Sequence, residues 1–175
     1  MLNMETHTIV NYAHDPADVN SLSSNKVFSF VELPDGNMLI GMIDGGIDLF
    51  DYSSKKFIRN YIPSVKGAFT LKEGKDNDVW IGTDGDGIYR LNADREVDRH
   101  YTAGKLPAGV VLTIFEDSRG RIWLGTYLHG LFLYDERSDS FQSIRLQTGG
   151  REIKDIYIIE ENTDGTLWIG TNENG

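Results

Sequence analysis

Short apolar runs recur along the chain in groups of four, separated by turn-forming residues. Within a group, the first run leads into a turn of the Asp-Gly kind, which is the strongest short-range signal of a β-hairpin. The second run is apolar at consecutive positions, as in Val79-Trp80-Ile81, and such a strand is buried on both faces. The third run follows a glycine-rich turn and the fourth is more polar. No segment shows a sustained 3.6-residue period, so the pattern predicts antiparallel sheets and almost no helix.

The groups are copies of one repeat, and the copies align on a glycine in the second strand. These glycines are Gly41, Gly82, Gly125 and Gly170. A glutamate lies nine residues before each of them, at Glu32, Glu73, Glu116 and Glu161. Four short strands in every ~40–45 residues are typical of a β-propeller blade, whereas leucine-rich and β-helix repeats are shorter and TPR, ankyrin and HEAT repeats are helical. We therefore predict an all-β fold, a β-propeller built of four-stranded antiparallel blades.

The repeat also predicts where each blade lies. An outer-type strand is expected over residues 7–12 and half a blade over residues 154–175. Three complete blades are expected over 25–61, 66–101 and 109–146. About three and a half blades leave sheet edges unpaired, which is an association liability. We therefore expect a part of a longer propeller, or an assembly that covers these edges.

Three strings resemble a known repeat: Leu22-Ser-Ser-Asn-Lys-Val27, Asp35-Gly-Asn-Met-Leu-Ile-Gly41 and Trp80-Ile-Gly-Thr-Asp-Gly-Asp-Gly-Ile-Tyr89. They are similar to the two-component regulator propeller repeat, and the similarity covers nearly all of the chain. The resemblance implies a seven-bladed propeller in the periplasmic sensor part of a hybrid histidine kinase, which responds to oligosaccharides and forms a homodimer through the parent sensor. The first copy departs from the pattern at Leu39 and Met42, where tryptophan and threonine are expected.

Composition narrows the classes of partner. The chain has 17 basic and 27 acidic side chains, a net charge of −10 and no cysteine. This charge disfavours nucleic acid and anionic membranes, and the lack of cysteine excludes disulfides, Cys-ligated metals and a thiol nucleophile. No apolar run approaches the ~18 residues of a membrane helix, and no signal peptide is visible at the start. We expect no nucleic acid partner and no direct membrane insertion; the periplasmic location is implied by the resemblance alone.

For most residues that could take part in catalysis or binding, the sequence favours a structural role. Trp80, Trp123 and Trp168 lie in the most buried strand, which favours packing between blades over stacking on a sugar. The four glutamates lie in separate sheets, whereas a glycosidase needs two carboxylates within about 5–10 Å. We expect these glutamates to accept hydrogen bonds from turn amides.

Signatures of metal sites and nucleophiles are weak. Asp76-Asn-Asp78 and Asp84-Gly-Asp86 do not continue into a twelve-position calcium loop, and the four histidines lack metal-ligand spacing. The segment Asp117–Trp123 fits the Asp-box of sialidase propellers poorly, and no nucleophile elbow occurs. No catalytic residue, metal or cofactor is expected in this chain. A propeller enzyme, either a polysaccharide lyase or a glycoside hydrolase, and a protein-interaction scaffold remain as alternatives.

The loops that differ between copies predict the ligand-binding face. In a propeller, the loops from each outer strand to the next inner strand share a face with the loops between second and third strands. Tyr127 and His129 replace the small Asp-Gly residues of the second copy and project more surface. We expect a small carbohydrate with a ring against Tyr127, whereas the short Asp-Gly turns of the opposite face offer little to grip. The candidate ligand-binding residues are Asp44, Asp84, Asp86, Tyr127, His129 and Asn172.

Overall fold

The computed structural model describes residues 1–102 and 109–172, and all regular secondary structure within these ranges is β. None of the described residues forms a helix long and apolar enough to cross a membrane. Three four-stranded antiparallel sheets, named here blades 1 to 3, follow one another with their strands in sequence order. The predicted architecture of four-stranded antiparallel blades is confirmed.

The strands have the following bounds. Blade 1 contains β1 (Val27–Glu32), β2 (Met38–Met42), β3 (Gly46–Asp51) and β4 (Lys56–Ile58). Blade 2 contains β5 (Ala68–Glu73), β6 (Val79–Thr83), β7 (Ile88–Leu91) and β8 (Val97–Tyr101). Blade 3 contains β9 (Val111–Glu116), β10 (Ile122–Thr126), β11 (Leu131–Asp135) and β12 (Ser140–Ile144). A small hairpin, β13 (Gln147–Thr148) and β14 (Arg151–Glu152), precedes the two-stranded blade 4, which contains β15 (Ile156–Glu161) and β16 (Leu167–Thr171).

Glycines in the second strands allow successive blades to approach closely. The first strands of neighbouring blades contact each other, and the second-strand glycine of each of blades 1 to 3 faces the first residue of the next blade. The facing pairs are Gly41 with Ala68, Gly82 with Val111 and Gly125 with Ile156. A Cβ atom built on these glycines would lie 3.2, 2.7 and 2.6 Å from the facing side chains. A larger residue at this position would therefore push the blades apart.

Two of the three tryptophans pack between blades, as predicted. Trp80 is 2% exposed and its ring centroid lies 4.9 Å from that of Tyr134 in blade 3. Trp123 is 8% exposed and belongs to one buried apolar cluster with Ile156 and Ile159 of blade 4. Trp168 has the same place in blade 4 but is 69% exposed, since no blade among the described residues covers it. Inter-blade packing is thus confirmed for the first two tryptophans and is not seen for the third.

Residues 7–12, predicted as an outer-type strand, form no ladder with a blade. Within this segment, Ile9 forms an isolated bridge with Leu2, and the flanking Thr8 and Val10 hydrogen-bond through their backbones to Asn3 and Met1. An outer strand needs the free edge of a third strand, and the third strands of blades 1 to 3 already pair with their own fourth strands. The segment is instead fixed by Tyr12, whose ring packs edge-on against Phe50 with centroids 5.1 Å apart.

Candidate functional site

The loop between the second and third strands is closed in the same way in blades 2 and 3. The Thr83 hydroxyl donates to the carbonyl of Gly87 at 2.8 Å, and the Thr126 hydroxyl donates to that of Gly130 at 2.7 Å. Both glycines have positive φ angles, +74° and +84°, which a residue with a Cβ rarely adopts. These bonds fix the loop ends and leave the residues between them exposed at one face of the sheets.

The connecting loops between blades lie on this same face, as predicted. A Cβ on Gly67 would lie 2.4 Å from the carbonyl oxygen of Ile43 and 3.9 Å from Cβ of Asp84. The Gly130 amide donates to the carbonyl of Lys154 at 2.7 Å. Both kinds of loop therefore contact each other and form one surface, which we call the loop face. One of these connecting loops is expected from the sequence at residues 104–109, and only Gly109 of it is among the described residues.

Asp44 is held by residues of its own blade. The Lys26 ammonium lies 2.8 Å from its carboxylate, and the Ser24 hydroxyl also donates to it. The hydrogen bonds from Lys26 and Ser24 lower the pKa of Asp44 from its usual value of 3.8. The carboxylate is therefore ionised near neutral pH and is already paired with a cation.

Asp86 hydrogen-bonds to two aromatic side chains, Tyr89 and His100. The Tyr89 hydroxyl donates to its carboxylate at 2.6 Å, and Nε2 of His100 lies 2.8 Å from its carbonyl oxygen. The two rings stack with centroids 3.8 Å apart. Burial first, and then the hydrogen bond to Asp86, raise the pKa of the Tyr89 hydroxyl, so this group remains a donor. Sequence reasoning missed this pair; the signal was the strand register, which places Tyr89 opposite His100.

Asp84, Tyr127 and His129 meet around the start of blade 3. Val110 forms a bridge with Asp84, and its carbonyl accepts a hydrogen bond from the Tyr127 amide at 2.9 Å. The His129 ring packs on Gly109, where a Cβ would lie 2.5 Å from Cδ2. All three side chains are exposed, and towards the described residues none of them forms a side-chain hydrogen bond. We call these three residues the loop-face patch.

The six candidate residues therefore fall into three groups. The loop-face patch joins blades 2 and 3, and Asp86 belongs to the same loop as Asp84. Asp44 lies one blade away, separated from Asp84 by Gly67. Asn172 is exposed after β16, and no contact among the described residues joins it to the others. In residues 1–102 and 109–172, no cluster of three or more His, Asp or Glu side chains could hold a metal ion.

The opposite face contains a cavity. The sequence predicted that the short turns of this face offer little surface to a ligand. A space of about 260 Å³ lies between blades 2 and 3, lined by Asp78, Trp80 and Arg90 among others. It lies beside Gly74, which has the place of Asp117 in blade 3, since each residue donates its amide to the carbonyl four residues later. Gly74 has no side chain, and the carboxylate of Asp78 fills part of the space that a side chain at position 74 would need. A Cβ built on Gly74 would lie 2.1 Å from Oδ1 of Asp78. Burial raises the pKa of Asp78.

One of the four repeated glutamates accepts a turn amide as predicted. Glu161 accepts hydrogen bonds from the amide and the hydroxyl of Ser118, at 2.6 and 2.8 Å. The turn belongs to blade 3, so the bond joins two blades instead of closing the glutamate's own hairpin. This contact supports a structural role for the position.

Comparison with known proteins agrees with this geometry. Residues 105–128 match the sequence model described as "Two component regulator propeller". These residues are similar to a two-component regulator propeller repeat. Histidine kinase P4 of Formosa agariphila is 31% identical over 149 residues, which make up 75% of this chain and 10% of that kinase.

Solved structures of other proteins superpose on this fold. The extracellular domain of a protein described as a hybrid two component system of B. thetaiotaomicron superposes with a TM-score of 0.80 at 26% identity. The match covers 99% of our propeller chain and 23% of that chain. Virginiamycin B lyase of Staphylococcus aureus shares the fold, with a TM-score of 0.67 at 18% identity over 85% of this chain and 50% of the lyase. The chain spans 10% of the kinase, 23% of the two-component protein and 50% of the lyase.

Proposed function

We propose that this chain is part of a periplasmic propeller that binds a small oligosaccharide and signals to a histidine kinase elsewhere in the parent protein. Its similarity to an extracellular domain and to a histidine kinase supports the location and the output. The observation that carries the proposal is the loop-face patch, where exposed polar side chains without partners among the described residues lie at the junction of two blades.

The chemistry of the patch suits a neutral polyhydroxylated ligand. Tyr127 is 42% exposed and offers an aromatic face to the apolar side of a sugar ring. The carboxylate of Asp84 accepts hydrogen bonds from sugar hydroxyls, and the imidazole of His129 can accept or donate. A net charge of −10 disfavours polyanionic ligands. The carboxylates of Asp44 and Asp86 already form hydrogen bonds or an ion pair within the chain. They therefore contribute to the shape of the loop face more than to ligand binding.

Signalling follows from the position of the patch between two blades. A ligand that contacts both Asp84 and Tyr127 links blade 2 to blade 3 across Val110. Such a ligand favours the blade arrangement in which both contacts are made and so shifts the packing equilibrium of the sensor. A parent sensor that forms a homodimer would pass this shift to its kinase.

Alanine at Tyr127 or His129 in the full parent sensor is expected to weaken oligosaccharide binding about tenfold, which corresponds to about 1.4 kcal/mol. The physical reason is the loss of ring stacking or of a hydrogen bond at an otherwise unpaired site. Isothermal titration calorimetry with fractionated polysaccharide digests measures the effect.

The matched control is Asp35→Ala, which changes an exposed turn on the opposite face. Unchanged affinity in the loop-face variants together with weaker binding in Asp35→Ala would place the site on the other face. Chromatography of the oligosaccharide after titration separates a sensor, which leaves it intact, from a lyase or hydrolase, which cleaves it.

A further inference from the structure

The turn between β9 and β10 of blade 3 is built around the carboxylate of Asp117. This carboxylate accepts hydrogen bonds from the Trp123 indole at 2.8 Å and from Nε of Arg121 at 2.6 Å. It also accepts the amides of Arg119 and Arg121. The Arg121 guanidinium lies 5.1 Å from the centroid of the Trp123 ring. Blade 3 therefore supplies its own acceptor to an indole and a guanidinium that lie together.

The turn between β5 and β6 of blade 2 has the same shape but lacks this carboxylate. Gly74 has the place of Asp117, with the same backbone hydrogen bond across the turn. The residue with a positive φ is Asn77 at +58° in blade 2 and Gly120 at +73° in blade 3. A Cβ built on Gly74 would lie 3.3 Å from the indole nitrogen of Trp80. The place that the carboxylate fills in blade 3 is therefore left to the cavity in blade 2.

Two hydrogen-bond donors of blade 2 consequently have no acceptor. Trp80 is 2% exposed, and its indole N–H donates to none of the described residues. Nε of Arg90 is buried and has no hydrogen-bond partner in the described part of the chain. The Arg90 guanidinium lies 5.5 Å from the centroid of the Trp80 ring, so blade 2 also places a guanidinium beside an indole. A buried donor without an acceptor is unfavourable.

The cavity of about 260 Å³ is lined by both of these donors. It lies between two complete four-stranded blades, each of which contacts a further blade on its other side. Its charged lining is balanced, with four basic and four acidic side chains, so charge alone does not decide what it binds. The two donors do decide it, because they require an acceptor and an ammonium group cannot provide one.

We propose that this cavity binds a small carboxylate, whose oxygens accept hydrogen bonds from the Trp80 indole and from Nε of Arg90. The ligand supplies to blade 2 the acceptor that Asp117 supplies to blade 3. Hydrogen bonds between a guanidinium and a carboxylate are assisted by charge and are stronger than neutral ones. Asp78 opposes the ligand, since its Oδ2 lies 3.4 Å from Nε of Arg90 without forming a hydrogen bond.

Isothermal titration calorimetry of the full parent sensor with acetate, over roughly 0.1–10 mM, tests the proposal. Acetamide is a control of the same shape without the negative charge, and chloride is a control anion that lacks the two oxygens. Acetate should bind about tenfold more tightly than either of them.

Variants of the cavity should change acetate binding in opposite directions. Arg90→Gln removes the guanidinium and should weaken binding about tenfold, whereas Asp78→Asn removes the opposing charge and should tighten it. Gly74→Asp in an Asp78→Ala background places a carboxylate inside the cavity and should abolish binding. Lys56→Gln removes an exposed cation of blade 1 that does not line the cavity and should leave binding unchanged.

Thermal unfolding gives a second readout in the same background. Gly74→Asp should raise the melting temperature more than Gly74→Ala does, because only aspartate provides the acceptor. Circular dichroism checks that each variant folds; should the aspartate variant misfold, the opposite effects of Arg90→Gln and Asp78→Asn still decide. The proposal is overturned if the unchanged sensor binds no acetate, if acetamide or chloride binds as tightly as acetate, or if acetate affinity survives Arg90→Gln. A melting temperature no higher for aspartate than for alanine at position 74 would also overturn it.

Discussion

Alanine in place of Gly87 is expected to lower the free energy of unfolding by about 3 kcal/mol or more. Gly87 has a φ of +74°, and a Cβ built on it would lie 2.0 Å from the carbonyl oxygen of Tyr101. That oxygen belongs to the backbone of β8, so relief requires the loop and the strand to separate. Urea unfolding followed by tryptophan fluorescence measures the loss.

Gly85 provides a matched control in the same loop. Its φ is +92°, but no atom lies within 4 Å of a Cβ built on it. Alanine there brings only the backbone strain of a positive φ, about 1 kcal/mol. Equal losses for Gly85→Ala and Gly87→Ala would show that the close approach to Tyr101 contributes nothing.

Asp117→Ala is expected to lower the free energy of unfolding by about 3 kcal/mol. The side chain of Asp117 is fully buried and accepts hydrogen bonds from Nε of Arg121 at 2.6 Å and from the Trp123 indole at 2.8 Å. It also accepts the backbone amides of Arg119 and Arg121 at 3.0 and 2.9 Å. Alanine leaves these donors without their acceptor beneath the turn of blade 3. Denaturant unfolding at pH 7 is the measurement.

The same carboxylate should make stability depend on pH. Burial alone would raise the pKa of Asp117, but the Trp123 indole, the Arg121 amide and guanidinium, and the Arg119 amide together lower it from 3.8. Its stabilisation is therefore complete above about pH 4 and is lost as the pH falls through the lowered pKa. The unchanged chain should lose stability below about pH 4 more steeply than Asp117→Asn. Asp164→Asn, at an exposed turn carboxylate, should change little at pH 7; a loss there as large as that of Asp117→Ala would contradict the role of burial.

The repeat predicted the blades well because each one is specified locally. The apolar second strands, the paired glycines and the Asp-Gly turns lie within a few residues of each other, so their spacing alone indicates four strands in order. The Gly149-Gly150 dipeptide is a local signal of the same kind, and both glycines have positive φ angles in the turn between β13 and β14. Residues 7–12 resemble a fourth strand, yet a fourth strand also requires a third strand with a free edge.

The candidate site was harder to predict, because it depends on which residues already have partners. Sequence reasoning treated Asp84 and Asp86 alike, but only Asp86 is bonded to the Tyr89 hydroxyl. Likewise, Gly74 looks like an ordinary turn glycine in the sequence. The structure shows that it lies against Asp78 and beside a cavity. Contacts between blades and across strands decide these differences, and no spacing within one repeat specifies them.

The glycine pairs between blades show that the blades are not interchangeable modules. The residue that faces the second-strand glycine grows along the chain, from Ala68 to Val111 to Ile156. A tandem duplication of blade 2 would place a copy of Ala68 against Gly82, where Val111 now fits, and would leave out two methyl groups. The loss of each buried methyl group weakens the packing between the two blades by about 1 kcal/mol. A propeller of this kind therefore gains a blade by gene duplication without loss of stability only when a further substitution restores the packing between the duplicated blades.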